Sequence, residues 1–147
     1  MTKSRGTRRK ARELALSALY MIEMQAKGSD GEEENDIIER FFKERGAGPA
    51  TVAYARRLIN GVRTHSDFID KKIEEACEHW KLSRIAPVDR NILRISACEI
   101  LFDTDIPHEV SIDEAVEIAK KYGSEESGAF VNGILDHLKK DKENFGF

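Results

Sequence analysis

The residues best suited to chemistry in this sequence are basic and lie near its start. The first twelve residues contain no acid and hold six cations: Lys3, Arg5, Arg8, Arg9, Lys10 and Arg12. At about 100° per residue in a helix, four of these arginines (5, 8, 9 and 12) share an arc of roughly 100°. Guanidinium groups bind phosphate oxygens in pairs and stack on unpaired bases. The spacing therefore predicts a binding site for a polyanion.

The alternative interpretation is a charged helix end that contacts only water. Arginines at a helix N-terminus oppose the helix dipole, however, and cost stability unless an anion offsets them. The rest of the chain carries 18 basic and 27 acidic residues, a net charge of −9, so the positive charge is local. A basic segment on an acidic body is typical of a nucleic-acid site. Tyr20 projects about 20° from Arg9, so it either continues the basic stripe or is a core tyrosine.

The sequence contains no recognisable motif for catalysis, for a nucleotide phosphate or for a metal ion. No phosphate-binding loop, nucleophile elbow or H-E-x-x-H zinc motif is present. The four histidines share no ligand spacing, and the acids are scattered as solvation alone would place them. Cys77 and Cys98 each lie in an apolar helical pattern without a C-x-x-C partner, which predicts buried free thiols. We therefore predict no catalysis, no cofactor and no metal.

The apolar residues repeat with the helical period of 3.6, which predicts about seven helices and an all-α fold. The first runs from Arg5 to Met24, basic in its first half and apolar in its second. Other predicted boundaries depend on turn and cap residues: a loop at 27–35, helix ends at Gly46 and Gly123, helix starts at Pro49 and Pro87, a capping box of Ser111 and Glu114 that starts the sixth helix, and a last helix at about 125–140.

Several side chains carry specific expectations. The helix that begins at Pro87 has so wide an apolar face that it should be central, with Glu99 a hydrogen-bonded buried carboxylate. The fourth helix is predicted at about 67–80 with Trp80 on its apolar stripe, and Phe130 is predicted to face the core from the last helix. The two Asn-Gly pairs, at 60–61 and 132–133, lie within helical stripes, and we predict close helix crossings at both glycines.

The length of 147 residues predicts a single domain. No apolar run approaches the roughly 18 residues that would cross a membrane. The basic start is interrupted by Glu13 and is followed by no small-residue cleavage site, so the default expectation is the cytoplasm.

Six segments together resemble the NusB family of bacterial transcription antitermination factors. They follow one another in order through nearly the whole chain: 8–20 (RRKARELALSALY), 58–62 (LINGV), 88–95 (VDRNILRI), 107–110 (PHEV), 112–123 (IDEAVEIAKKYG) and 130–136 (FVNGILD). The last two segments are specific. The resemblance implies an all-α fold of two perpendicular three-helix bundles, at about residues 5–66 and 67–140 of one domain of residues 1–147, and no enzyme activity.

The resemblance also implies partners. Family members bind the single-stranded boxA element of nascent ribosomal RNA together with the ribosomal protein NusE, and join RNA polymerase with NusA and NusG. Carried over by position, RNA binding falls on a basic group and one turn residue: Arg5, Arg8, Arg9, Lys10, Arg12 and Glu126. NusE binding falls on Tyr20 and Asp89.

Two positions depart from the family pattern. The turn before the last helix reads Ser124-Glu125-Glu126-Ser127, and two adjacent acids should weaken its contact with RNA. Cys98 stands where the family often has an aromatic, which predicts a packing change.

Two other functions stay open: an RNA-binding domain like the one that opens certain ribosomal RNA cytosine methyltransferases, although no cofactor domain follows here, and a self-associating helical scaffold. The RNA bases, the affinity and the choice between monomer and homodimer are also open.

Overall fold

The computed structural model describes residues 2–25, 31–78 and 80–146, without the side chains of residues 2–5, 31–32 and 145. These ranges form seven α-helices and one short 3₁₀ helix, Leu82–Arg84, and contain no strand, so the predicted all-α class is confirmed. The helices are α1 (Thr2–Gln25), α2 (Gly31–Arg45), α3 (Pro49–Thr64), α4 (Ser66–Cys77), α5 (Pro87–Phe102), α6 (His108–Tyr122) and α7 (Ser127–Phe145). None of the described helices is long and apolar enough to cross a membrane.

The chain divides into two compact units, and the first is Met1–Asn60. In it α1 packs against α2. Arg56 of α3 donates a 2.6 Å hydrogen bond to Glu39 of α2. Its buried apolar side chains come from all three helices: Ala11, Leu14, Ala15, Leu16, Ala18, Leu19, Ile38, Phe41, Phe42, Ala55, Leu58 and Ile59. The apolar half of α1 is therefore part of a core, as its sequence predicts.

The second unit, Gly61–Phe147, is built around α5. This helix packs against α4, α6 and α7, and eleven of its sixteen residues are buried. Apolar side chains with no exposed surface come from all four helices: Ile69, Ile73, Leu93, Ala97, Ile100, Ala119, Val131 and Leu135. The predicted central position of α5 is confirmed.

Prolines and glycines determine several helix boundaries. Pro49 and Pro87 are the first residues of α3 and α5, as predicted, because proline has no N–H to leave unbonded in a first turn. Gly46 ends α2 with φ of +60°, a conformation that glycine adopts at little steric cost.

Three predicted boundaries are wrong. α6 begins at His108, directly after Pro107, and Ser111 is buried inside the helix instead of capping it. α4 ends at Cys77 because Glu78 takes φ of +47°, and Trp80 beyond it is 54% exposed instead of buried. The predicted loop 27–35 is helical from residue 31, and its residues 27–30 lie outside the described ranges.

Buried polar groups in the second unit are hydrogen-bonded across helices. Ser111 of α6 donates to Glu99 of α5 at 2.8 Å, and Ser96 donates to the Ser111 carbonyl at 3.2 Å. Glu99 is therefore the satisfied buried carboxylate that was predicted. Cys77 and Cys98 are both buried free thiols, which is also confirmed. Burial, and secondarily the charge of Glu74, raises the pKa of the Cys77 thiol.

The two Asn-Gly pairs differ in their surroundings. A Cβ atom added to Gly61 would lie 2.7 Å from the Cys98 sulfur, so the predicted close helix crossing is confirmed there. At Gly133 such a Cβ would meet nothing within 4 Å beyond its chain neighbours and the backbone of its own helix, among the described residues, and the prediction is wrong. Gly133 is exposed on the surface of α7.

Candidate functional site

The basic segment forms the first turns of α1. Arg8 and Lys10 are exposed, whereas Arg9 is half-buried. Arg12 is only 3% exposed. Arg5 lies in α1, but its side chain is outside the described part of the chain. The predicted stripe therefore faces solvent at Arg8 and is covered one turn later, where α1 enters the core.

A tyrosine of α3 lies near both the exposed Arg8 and the buried Arg12. The Arg12 Cζ lies 5.9 Å from the centroid of the Tyr54 ring, and the Arg8 Cζ lies 5.4 Å from it. Both distances are within the roughly 6 Å over which a cation is attracted to an aromatic face. Tyr54 was not predicted to belong to this site. Its position one residue before the buried Ala55 gave no signal of a contact with α1.

Tyr20 lies farther along the same helix. Its side chain is 39% exposed, more than a core tyrosine would be. Eight residues separate it from Arg12, which corresponds to about 12 Å along a helix axis. α1 therefore presents cations near its start and an accessible aromatic near its end.

The other predicted residues, Asp89 and Glu126, come together in the second unit. Asp89 lies in the first turn of α5 and is 9% exposed. The buried Ser127 hydroxyl donates to Asp89 Oδ2 at 3.0 Å and accepts a 2.9 Å hydrogen bond from the Ser124 backbone N–H. Asp89 Oδ1 is buried and has no hydrogen-bond partner among the described residues. One carboxylate oxygen thus joins α5 to the turn before α7, and the other is enclosed by the protein.

This carboxylate lies at an open pocket of about 350 Å³. Its lining combines aromatic, basic and acidic side chains, including Trp80, Arg84, Asp89, Glu126 and Phe130. Trp80 and Phe130 were predicted to be core residues. The signal for Trp80 was available, because it is flanked by polar residues in Glu78-His79-Trp80-Lys81. A flat aromatic beside hydrogen-bonding groups is an arrangement that suits an unpaired base or a partner side chain.

Metal chemistry finds no support in the described residues. No three His, Cys, Asp or Glu side chains in those ranges converge on one point as ligands. The two groups of predicted residues are thus a cationic and aromatic face on α1 and a polar pocket at the start of α5 and α7.

Comparison with known proteins assigns the family. The family model described as "NusB family" matches residues 9–140. The chain belongs to the NusB family. A transcription antitermination protein NusB of Desulfitobacterium hafniense (strain DSM 10664 / DCB-2) is 44% identical over 142 residues, which cover 93% of this chain and 94% of that protein. The prediction of a non-enzymatic transcription antitermination protein is therefore confirmed.

Solved structures of NusB proteins have the same fold. NusB of T. maritima has a TM-score of 0.82 and 41% sequence identity, over 95% of this chain and 97% of that one. A crystal structure of the antitermination factors NusB and NusE in complex with dsRNA has a TM-score of 0.79 and 27% identity, over 91% and 96% of the two chains. The NusB protein in that complex is bound to NusE and dsRNA.

Proposed function

We propose that this protein binds boxA RNA of nascent ribosomal RNA together with NusE. Through that complex it joins RNA polymerase, NusA and NusG, and suppresses termination. The observation that carries the proposal is the acid-free cationic start of α1, where Arg8 and Lys10 are exposed. The structurally similar NusB protein that binds NusE and RNA supports it.

The proposed RNA contacts differ with side-chain exposure. Arg5, Arg8, Arg9 and Lys10 neutralise phosphates, and counterion release supplies much of the binding free energy. The Arg12 side chain is only 3% exposed, so its main role is to support the basic face of α1, and its contact with RNA is secondary. Glu126 is exposed beside the polar pocket, and its charge disfavours a phosphate there. We assign Glu126 to a contact with a base or sugar rather than with the backbone.

NusE contacts are assigned to Tyr20 and Asp89. Tyr20 offers an exposed ring with a hydroxyl, a combination common at protein interfaces. Asp89 lines the open pocket, and through Ser127 its carboxylate orders the turn before α7, which offers a partner a defined surface. Because the two residues lie in different units, each can be tested by itself.

The deciding experiment measures binding of labelled boxA RNA and of a scrambled RNA, each with and without NusE. We expect boxA to bind more tightly than the scrambled RNA, and NusE to increase that difference. Arg8→Ala with Arg9→Ala should weaken boxA binding roughly tenfold or more, since two charge-assisted contacts are lost. The slope of log affinity against log salt should become less negative by about 1.4, or about 0.7 for each phosphate contact removed.

A matched control removes two exposed cations elsewhere in the same unit. Arg40→Ala with Lys43→Ala, on α2, changes the net charge equally. This control should bind boxA nearly as the unaltered protein does. Equal losses in the two double variants would show that binding depends on net charge, not on α1. A dimer that persists unchanged when NusE is added in sedimentation would instead favour the scaffold function.

A further inference from the structure

One aromatic ring faces two arginines of the basic segment. The Tyr54 centroid lies 5.4 Å from the Arg8 Cζ and 5.9 Å from the Arg12 Cζ. The two arginines are four residues apart and therefore neighbours on one face of α1. Tyr54 is half-buried on α3, in the same compact unit. These three side chains form a cluster in which Arg12 is buried, Tyr54 is half-buried and Arg8 is exposed to solvent.

The ring compensates for an unfavourable arrangement. Two like charges one helical turn apart repel each other. The negative face of an aromatic ring attracts a guanidinium through the flat face of the cation. The N–H groups lie in the guanidinium plane, so a cation bound in this way can still present its N–H fork to a phosphate. Attraction to the ring and binding of phosphate are therefore compatible.

We propose that Tyr54 is a positioning residue for the RNA site on α1. Its ring restricts the exposed Arg8 side chain to conformations in which the guanidinium is ready to meet a phosphate. Arg12, which is buried, also lies within 5.9 Å of the ring and helps to hold it beside α1. A long side chain that is ordered in advance loses less conformational entropy when RNA binds, which increases affinity. The inference rests on the proposed function.

The test compares Tyr54→Phe, which keeps the ring, with Tyr54→Leu, which keeps an apolar side chain but removes the ring. Tyr54→Phe should bind boxA RNA within about twofold of the unaltered protein. Tyr54→Leu should bind about three- to fivefold more weakly, the loss expected when a partly exposed cation–aromatic contact is removed. Fluorescence anisotropy at fixed salt measures the affinity, and circular dichroism checks the fold. Tyr54→Met provides the same comparison with a more adaptable side chain if the leucine variant does not fold.

A double-mutant cycle with Arg8→Ala separates positioning from general stability. In the Arg8→Ala background, Tyr54→Leu should have little further effect on RNA affinity. An equal loss in both backgrounds would overturn the inference, and so would unchanged affinity of Tyr54→Leu. If the Arg8 and Arg9 double variant loses binding while Tyr54→Leu does not, only this inference fails. If the unaltered protein does not distinguish boxA from scrambled RNA, the proposed function fails as well.

Discussion

At the residue scale, Gly61 and Cys98 form a contact that no larger residue at position 61 would permit. The sulfur lies 2.7 Å from where a Cβ would be, closer than real Cβ contacts. Cys98 is buried, with 7% of its surface exposed, so it has little freedom to move away. Gly133 has the same sequence context, an asparagine before it, but open space around it. One glycine is thus required by packing, and the other is replaceable.

We predict opposite effects of alanine at these two glycines. Gly133→Ala should stabilise the protein by about 0.5–1 kcal/mol, because alanine loses less backbone entropy in a helix. In Gly61→Ala, overpacking should destabilise the protein by about 1–3 kcal/mol. The higher helix propensity of alanine offsets part of that loss. Urea unfolding of both variants measures the free energies. Adding Cys98→Ala to Gly61→Ala should recover part of the loss, and a purely additive double variant would contradict the steric explanation.

The sequence predicted some of these residues and not others for a common reason. Glu99 and the two cysteines lie on apolar faces wide enough to be buried whatever packs against them. The angular position of Arg12 was known too, but its contact with Tyr54, which is 42 positions away in the sequence, was not. A helical projection gives the direction of a side chain and not its neighbour. For the same reason, a helical projection cannot predict the hydrogen bond between Ser127 and Asp89.

At the element scale, the end of α5 is completed by a lysine from another helix. The last carbonyls of a helix have no partner within it. Asp103 N–H donates to the Glu99 carbonyl at 3.0 Å, and Lys142 Nζ of α7 donates to the carbonyls of Ile100 at 2.7 Å and Leu101 at 3.1 Å. A cation is also favoured at this negative end of the helix dipole. Lys142 therefore joins α7 to the central helix.

We predict that Lys142→Met destabilises the protein by about 1.5–3 kcal/mol, the range for hydrogen bonds made by charged groups. The control is Lys140→Met, two residues earlier on α7, where an exposed lysine pairs with Asp136 at 3.0 Å. An exposed pair four residues apart in a helix contributes only about 0.3–0.5 kcal/mol. Thermal unfolding followed by circular dichroism compares the two. Equal shifts of the melting temperature would indicate that Lys142 acts only as a surface charge.

Helix boundaries could be predicted where one residue decides them. Proline begins α3 and α5 whatever its surroundings. The predicted start of α6, at the Ser111–Glu114 pair, is wrong, because the helix begins at His108, directly after Pro107. Ser111 instead donates its hydroxyl to the buried Glu99. A cap residue satisfies a backbone N–H only where no buried acceptor competes for its side chain.

At the scale of the whole molecule, charge and stability are distributed unequally. All six charged side chains among the first twelve residues are basic, and the rest of the chain has a net charge of −9. The family resemblance covered nearly the whole chain, so the fold class and the antitermination function were predictable from it. The open pocket was not, because it forms where α5, the turn before α7 and the segment after α4 meet.

We predict that the amides of α5 exchange with solvent more slowly than those of any other helix. α5 packs against three helices, and eleven of its residues are buried, so its amides should open only with the second unit as a whole. Hydrogen exchange followed by NMR gives the opening free energy of each amide. The last turn of α7, whose residues 143 and 144 are exposed, should exchange fastest within that helix. Faster exchange in the middle of α5 than in the middle of α7 would contradict this ranking.

The bond between Lys142 and the end of α5 also has a consequence for synthesis on the ribosome. α1, α2 and most of α3 emerge first and hold the apolar residues of the first unit. α5 emerges later but lacks its partners α6 and α7, and its last carbonyls lack Lys142 until residue 142 is made. At about 5–20 residues per second, this interval lasts several seconds. During it the most apolar helix of the protein is uncovered, and we expect nascent chains halted before residue 142 to be bound by chaperones.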